Sequence, residues 1–174
     1  MGLAEHRRES PISVRFAVIT VSDTRDPTSD KGGEYLVRAV LDAGHVAARR
    51  ALVRDEAIAI DAAVREAVDA QDVDLVLLTG GTGIAPRDVT APTLERMFES
   101  PIPGFGELFR WLSYKEIGSA AILSRATAGL VEGKVVIALP GSPKALELAM
   151  EAIVLPEAGH LVAQTRGSKP GAST

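Results

Sequence analysis

Two rhythms of apolar and polar residues alternate along this chain. Val14 to Val21 is dense in β-branched residues and predicts a first strand. From about Gly33 to Ala43 the spacing lengthens: Leu36 with Val40, and Val37 with Leu41, predict a helix that Gly44 stops. Val46 to Val53 predicts a second, weaker strand. Ile60, Val64, Ala67 and Val68 predict a second helix over about Glu56 to Ala70, for which Asp55 is a natural N-cap. Asp74 to Thr79 is short and almost wholly apolar, which suits a parallel strand buried on both faces.

Beyond Thr79 the pattern turns polar until a third helix, about Ala91 to Glu99, with Thr90 as its N-cap and Pro92 in its first turn. Pro101 and Pro103 break it. Gly106 to Ile117 predicts another amphipathic helix, carrying Leu108, Trp111 and Leu112. Ala120 to Leu123 and Ala126 to Val131 are strand candidates, and Lys134 to Leu139 is a clear strand. Pro140-Gly141-Ser142-Pro143 closes it and opens a helical region, Lys144 to Ala163, expected to be interrupted near Pro156. This alternation predicts an α/β fold of three layers, α/β/α, with a mainly parallel sheet. The short Glu132-Gly133 turn predicts one antiparallel strand. Residues 14–163 read as one domain, between a disordered arm at 1–13 and a disordered tail at 164–174.

Composition narrows the chemistry. The 174 residues contain no cysteine, which removes thiolate metal sites, disulfides and cysteine nucleophiles together. His6, His45 and His160 are far apart and lie in no metal-ligand spacing. A formal net charge of -4 disfavours a nucleic-acid partner, and no apolar run is long enough to span a membrane, so the cytoplasm is the expected compartment. An anionic ligand would have to be held locally, by backbone amides and a few side chains.

Ligands in open α/β sheets bind beyond the carboxyl ends of the strands. Four such ends carry small or acidic residues: Ser22-Asp23, Arg54-Asp55, Gly80 to Thr90, and Pro140 to Pro143. Gly80-Gly81-Thr82-Gly83 lets the backbone approach a ligand and offers free amides to phosphate oxygens. It is neither a P-loop nor a dinucleotide fingerprint, since no Gly-Lys-Ser/Thr follows and Pro86 stands where a third glycine belongs. Asp88 could hold Mg²⁺ against a bound triphosphate or complement a helix N-terminus; Asp55 could face a ligand or merely cap a helix. Ser22-Asp23 and Gly141-Ser142-Pro143 read either as rim contacts or as plain turns, and Ser124-Arg125 carries little signal alone. Phe105, Phe109 and Trp111 read as packing or subunit-contact residues.

In order and spacing, Val21-Ser22-Asp23, Leu78-Thr79-Gly80-Gly81-Thr82-Gly83, Arg87-Asp88-Val89-Thr90 and Leu139-Pro140-Gly141-Ser142-Pro143 resemble the MoaB/MogA family of molybdopterin-binding proteins and molybdopterin adenylyltransferases. The stretch Pro103 to Arg110, with Leu112-Ser113 and Glu116-Ile117-Gly118, is similar to the MoaB branch. The resemblance implies a three-layer domain assembled as a homotrimer or homohexamer. It implies adenylylation of molybdopterin by Mg-ATP, giving molybdopterin-AMP and pyrophosphate. By position it makes Asp88 and Asp55 the catalytic and Mg²⁺-holding residues. Thr79, Gly80, Gly81, Thr82, Gly83 and Ser124 would line the pterin-phosphate pocket, and Ser22, Asp23, Gly141, Ser142 and Pro143 its rim. The alternative is a non-catalytic molybdopterin-binding or scaffold protein, with other proteins of molybdenum cofactor biosynthesis as partners. A CinA-like domain is disfavoured by Thr82, where that group carries leucine.

Overall fold

The structure, a computed structural model, describes residues 13–166. A six-stranded sheet, in the order β2-β1-β3-β6-β5-β4, forms its middle layer. The strands are β1 (Arg15–Val21), β2 (Val46–Val53), β3 (Leu75–Thr79), β4 (Ser100–Pro101), β5 (Thr127–Val131) and β6 (Lys134–Leu139). β2, β1, β3 and β6 pair in parallel, and β5 alone runs against the rest, antiparallel to both β6 and β4.

Side chains on successive strand positions leave opposite faces of a sheet, so an all-apolar strand feeds two cores. Phe16, Val18, Leu75, Leu77, Val135 and Ile137 pack on one face; Ala17, Ile19, Val76, Leu78, Val136 and Ala138 pack on the other. The first face is covered by α1 (Lys31–Asp42), α4 (Pro103–Ile117), α5 (Pro143–Ala149) and α6 (Leu155–Thr165). The second is covered by α2 (Ala57–Asp69) and α3 (Thr90–Met97). The three layers and the parallel centre are those expected from the apolar rhythm.

Several local expectations are corrected. Ala120–Leu123 is no strand: Gly118–Leu123 closes into a 3₁₀ turn that follows α4, with Ala121 its one buried residue. Pro103 does not break a helix but starts α4, at the position where a missing N–H costs nothing. A two-residue strand, Ser100–Pro101, pairs with β5 where none was expected. Near Pro156 the helical path is not cut; a π turn at Met150–Val154 widens it just before α6 begins at Leu155. That widening gives the proline ring room against the preceding turn, where a regular helix would clash.

The N-caps differ as well. Helix α1 starts at Lys31, because Asp30 accepts a hydrogen bond from the Gly33 amide at 2.9 Å. Asp30 is buried, and Arg50 and the Thr20 hydroxyl each reach its Oδ2 at 2.8 Å. Burial alone would raise its carboxyl; these partners outweigh it and hold it below the usual carboxylate range. Thr90 is the first residue of α3 rather than its cap, and makes no capping bond. Asp55 does not cap α2, whose N-cap is Glu56. Helix α6 runs on to Thr165, and Arg166 donates to Asp74, so regular structure extends past Ala163 into the segment expected to be a tail. The remainder of that tail, 167–174, and residues 1–12 of the arm lie outside the described residues.

Candidate active site

Parallel strands put their carboxyl ends on one edge, so the loops after β1, β2, β3 and β6 meet. The chain connection from β1 leads to β2 on one side of the sheet, and the connections from β3 lead to the other side, which makes the β1/β3 boundary the topological switch point. Hydrogen bonds tie the strand ends together on either side of it. Ser22 N–H donates to Val53 O at 2.9 Å, Gly80 N–H to Leu139 O at 3.1 Å, and the Thr79 hydroxyl to Pro140 O at 3.1 Å.

The glycine turn sits at the centre of this rim. Gly80 has φ +103° and Gly81 φ +63°, backbone conformations that side-chain-bearing residues rarely adopt. A Cβ on Gly80 would strike the Val21 carbonyl, and one on Gly81 would lie 2.8 Å from both Asp55 carboxylate oxygens. On Gly83 it would lie 2.7 Å from Asp88 Oδ2. The two carboxylates therefore flank the turn, one at each end, and only glycine leaves the space between them open.

Asp55 faces inward, its Oδ1 accepting from the Val89 amide at 3.2 Å, while its own amide donates to Asp23 Oδ1 at 3.0 Å. Burial pushes its carboxyl above the usual range; the Val89 bond opposes this, and the nearby Asp88 and Asp23 carboxylates add to it. Asp88 Oδ2 accepts from the Ala85 amide at 3.0 Å, closing the loop on itself. Beside them the Thr90 hydroxyl is fully buried and has no hydrogen-bond partner, an unusual state for a buried polar group. It lies against the same Gly81 position as Asp55.

The other expected residues take distinct places. Thr82 is buried, its carbonyl accepting from Arg125 N–H at 2.9 Å. Ser22 Oγ accepts from the Thr24 and Arg25 amides and shapes the first loop; Asp23 is exposed at the rim. Gly141 approaches Gly80, Ser142 is the N-cap of α5 and Pro143 its first residue. Ser124 adjoins the glycine turn through the peptide that follows it, whose Arg125 N–H donates to Thr82 O, and its Oγ accepts from the Ala126 amide. It lines a neighbouring cavity of about 490 Å³ that also includes Arg110 and Arg125 but neither Asp55 nor Asp88. Phe105 and Phe109 are core residues, while Trp111 is 56% exposed under the Lys115 ammonium.

Two residues of the site left no clear mark in the sequence. Arg125, two residues before β5, reaches across to the Gly83 and Asp88 carbonyls at 2.7 and 2.6 Å. Thr90 looked like a cap, and its hydroxyl is instead turned toward the glycine turn.

Residues 17–160 match the family model described as a probable molybdopterin binding domain. The chain belongs to that family. It is 46% identical over 170 residues to molybdenum cofactor biosynthesis protein B of Bacillus subtilis (strain 168), across 97% of this chain and 100% of that one. Among solved structures, a molybdenum cofactor biosynthesis protein B superposes with a TM-score of 0.87 at 43% identity, covering 91% of this chain and 99% of the other. The tungsten cofactor synthesizing protein MoaB of Pyrococcus furiosus superposes at 0.79 and 36% identity, covering 91% and 100%. The family's shared frame carries the rim described above. Among the described residues no helix is long and apolar enough to cross a membrane, and no group of three acidic or histidine side chains could hold a metal ion unaided.

Proposed function

We propose that this protein works in molybdenum cofactor biosynthesis in the cytoplasm, transferring the adenylyl group of ATP to the terminal phosphate of molybdopterin. The observation that carries this reading is the pair of carboxylates, Asp55 and Asp88, held against the two ends of an open glycine turn. The relatives' names support the pathway, and the site supports the chemistry.

A phosphate oxygen of molybdopterin attacks the α-phosphorus of ATP. The new P–O bond forms as the bond to the β-phosphate bridge breaks, and pyrophosphate leaves. Both reacting groups belong to the substrates, so the chain needs no side-chain nucleophile, which suits one without cysteine. Its task is positioning. Amides of Gly81, Thr82 and Gly83 bind phosphate oxygens, and the loops after β1 and β6 bound the pocket. Ser124, in the adjoining cavity, contacts the pterin end of the substrate.

The donor set suits Mg²⁺. Two carboxylates are too few for a self-sufficient cage, but Mg²⁺ commonly takes one or two carboxylates and completes its shell with substrate phosphates and water. Burial, and to a lesser degree the neighbouring Asp88 and Asp23 carboxylates, raises Asp55, and a bound cation would offset both. Asp55 and Asp88 would hold the ion, which supplies charge neutralisation on the phosphates when bound. We further propose assembly as a trimer or dimer of trimers.

One observation favours the alternative, a molybdopterin-binding scaffold: Asp88 Oδ2 is engaged by its own loop at the Ala85 amide. The two readings separate in one experiment. Protein incubated with molybdopterin, ATP and Mg²⁺ is expected to release pyrophosphate, and Asp88→Asn to bind pterin while losing most turnover. Pterin binding by the native protein without any pyrophosphate would leave the scaffold.

A further inference from the structure

Arg125 makes three hydrogen bonds into the loop between β3 and α3. Its amide donates to Thr82 O at 2.9 Å, its Nε to Gly83 O at 2.7 Å and one terminal guanidinium nitrogen to Asp88 O at 2.6 Å. Each acceptor is a backbone carbonyl, and none is a carboxylate. A trans peptide is planar, with its C=O and N–H pointing in opposite directions, and no cis bond occurs among the described residues. A residue that grips the carbonyl side of a peptide therefore aims its amide side.

The consequence is sharpest at the Asp88–Val89 peptide. Its carbonyl accepts from Arg125, and its N–H donates to Asp55 Oδ1 at 3.2 Å. One rigid plane thus joins the guanidinium to the carboxylate of Asp55, while the Cα of Asp88 is fixed at its near end. Hydrogen bonds in such a chain polarise one another, so the Val89 amide is a better donor with Arg125 in place. By the same rule, gripping the Thr82 and Gly83 carbonyls turns the amides of Gly83 and Ile84 away from Arg125.

We propose that Arg125 is a positioning residue that sets both carboxylates of the site through the backbone between them. It fixes Asp88 by its carbonyl and Asp55 by the Val89 amide. This rests on the adenylyl-transfer reading only for its kinetic consequence; the geometric claim concerns the free protein. Lysine is no substitute, because a single ammonium lacks the planar fork that spans two carbonyls.

The test uses Arg125→Lys and Arg125→Ala in the full chain, the first carrying the experiment should truncation unfold the protein. In the free protein, hydrogen exchange at the Val89 amide is expected to quicken about tenfold in either variant. With molybdopterin and Mg-ATP, kcat is expected to fall about a hundredfold while the pterin KM stays within about threefold, since misplacement penalises the reacting geometry more than binding. Added guanidinium should restore part of the Arg125→Ala turnover, which a general loss of packing would not allow. Val89 exchange within about threefold of the native rate overturns the proposal, as does unchanged kcat. If the native protein releases no pyrophosphate, the adenylyl-transfer reading fails and the Val89 exchange alone decides the role of Arg125.

Discussion

Asp55 shows how a single position trades stability for function. Its raised carboxyl means that the folded chain holds a proton there which the unfolded chain has already lost, over a window above the ordinary carboxylate range. Stability contributed by this group therefore falls as pH rises through that window. Asparagine keeps an oxygen to accept from Val89 and sheds the charge. Asp55→Asn is expected to melt at the native temperature or above it near neutral pH, while turnover falls about a hundredfold or more; a thermal melt beside a pyrophosphate assay checks both. At this scale the sequence was partly legible. Asp55, Asp88 and the glycines are marked in the sequence by strand ends and small residues. Arg125 was passed over because its partners are carbonyls 37 and 42 residues away, and carbonyls belong to every residue alike. Thr90 is ambiguous in the sequence because a threonine before a helix looks the same whether it caps or faces a pocket.

Elements were most legible where one rule acted alone. β1, β3 and β6 are apolar on both faces and stood out as strands; α1 and α2 repeated at helical spacing. Legibility failed where a few residues answer to distant neighbours. Ser100–Pro101 pairs only because β5 offers it an edge, and Gly118–Leu123 turns tightly because it must leave α4. The far end of the sheet has its own fastening, also made of long-range partners. Asp74, just before β3, binds Arg15 of β1 through Oδ2 at 2.9 Å and Oδ1 at 2.6 Å, and Arg166 after α6 at 2.6 Å. The Arg15 contacts lead in holding its carboxyl down to about 2. A depressed carboxyl contributes stability that is fully present above its unfolded value and is lost as pH falls toward 2. Its share is at most about 2 kcal/mol, since the arginine partners are partly solvated. Asp74→Asn is expected to cost about 1–2 kcal/mol in denaturant melts at pH 7, an excess that shrinks on acidification, with pyrophosphate release unchanged.

For the whole molecule, the apolar rhythm fixes three layers but leaves one surface unaccounted for. Trp111, Tyr114 and Ile117 of α4, with Ile122 and Leu123 of the following turn, are 49–77% exposed. Isolated exposed apolar residues are ordinary; a succession of large ones on adjoining segments marks a contact. We propose that a second copy of this chain covers them in the trimer or dimer of trimers. Trp111→Glu would place a charge in that contact and is expected to lower the molar mass measured by light scattering toward that of one chain. Unchanged mass would move the interface elsewhere.

The edges of the sheet bear on how copies of this chain avoid open-ended pairing. β4, two residues long and ending in Pro101, seals one border, and a proline cannot donate to a further ladder. The opposite border, β2, carries Arg49 and Arg50 in mid-strand, bound to Asp72 and Asp30. Strands that end in proline or bristle with charge are poor templates for fibrillar aggregation. Growth by strand addition is thus blocked on both sides. Any contact between copies of the chain is thereby left to helices and loops, whose side chains, unlike a bare strand edge, select a particular partner surface.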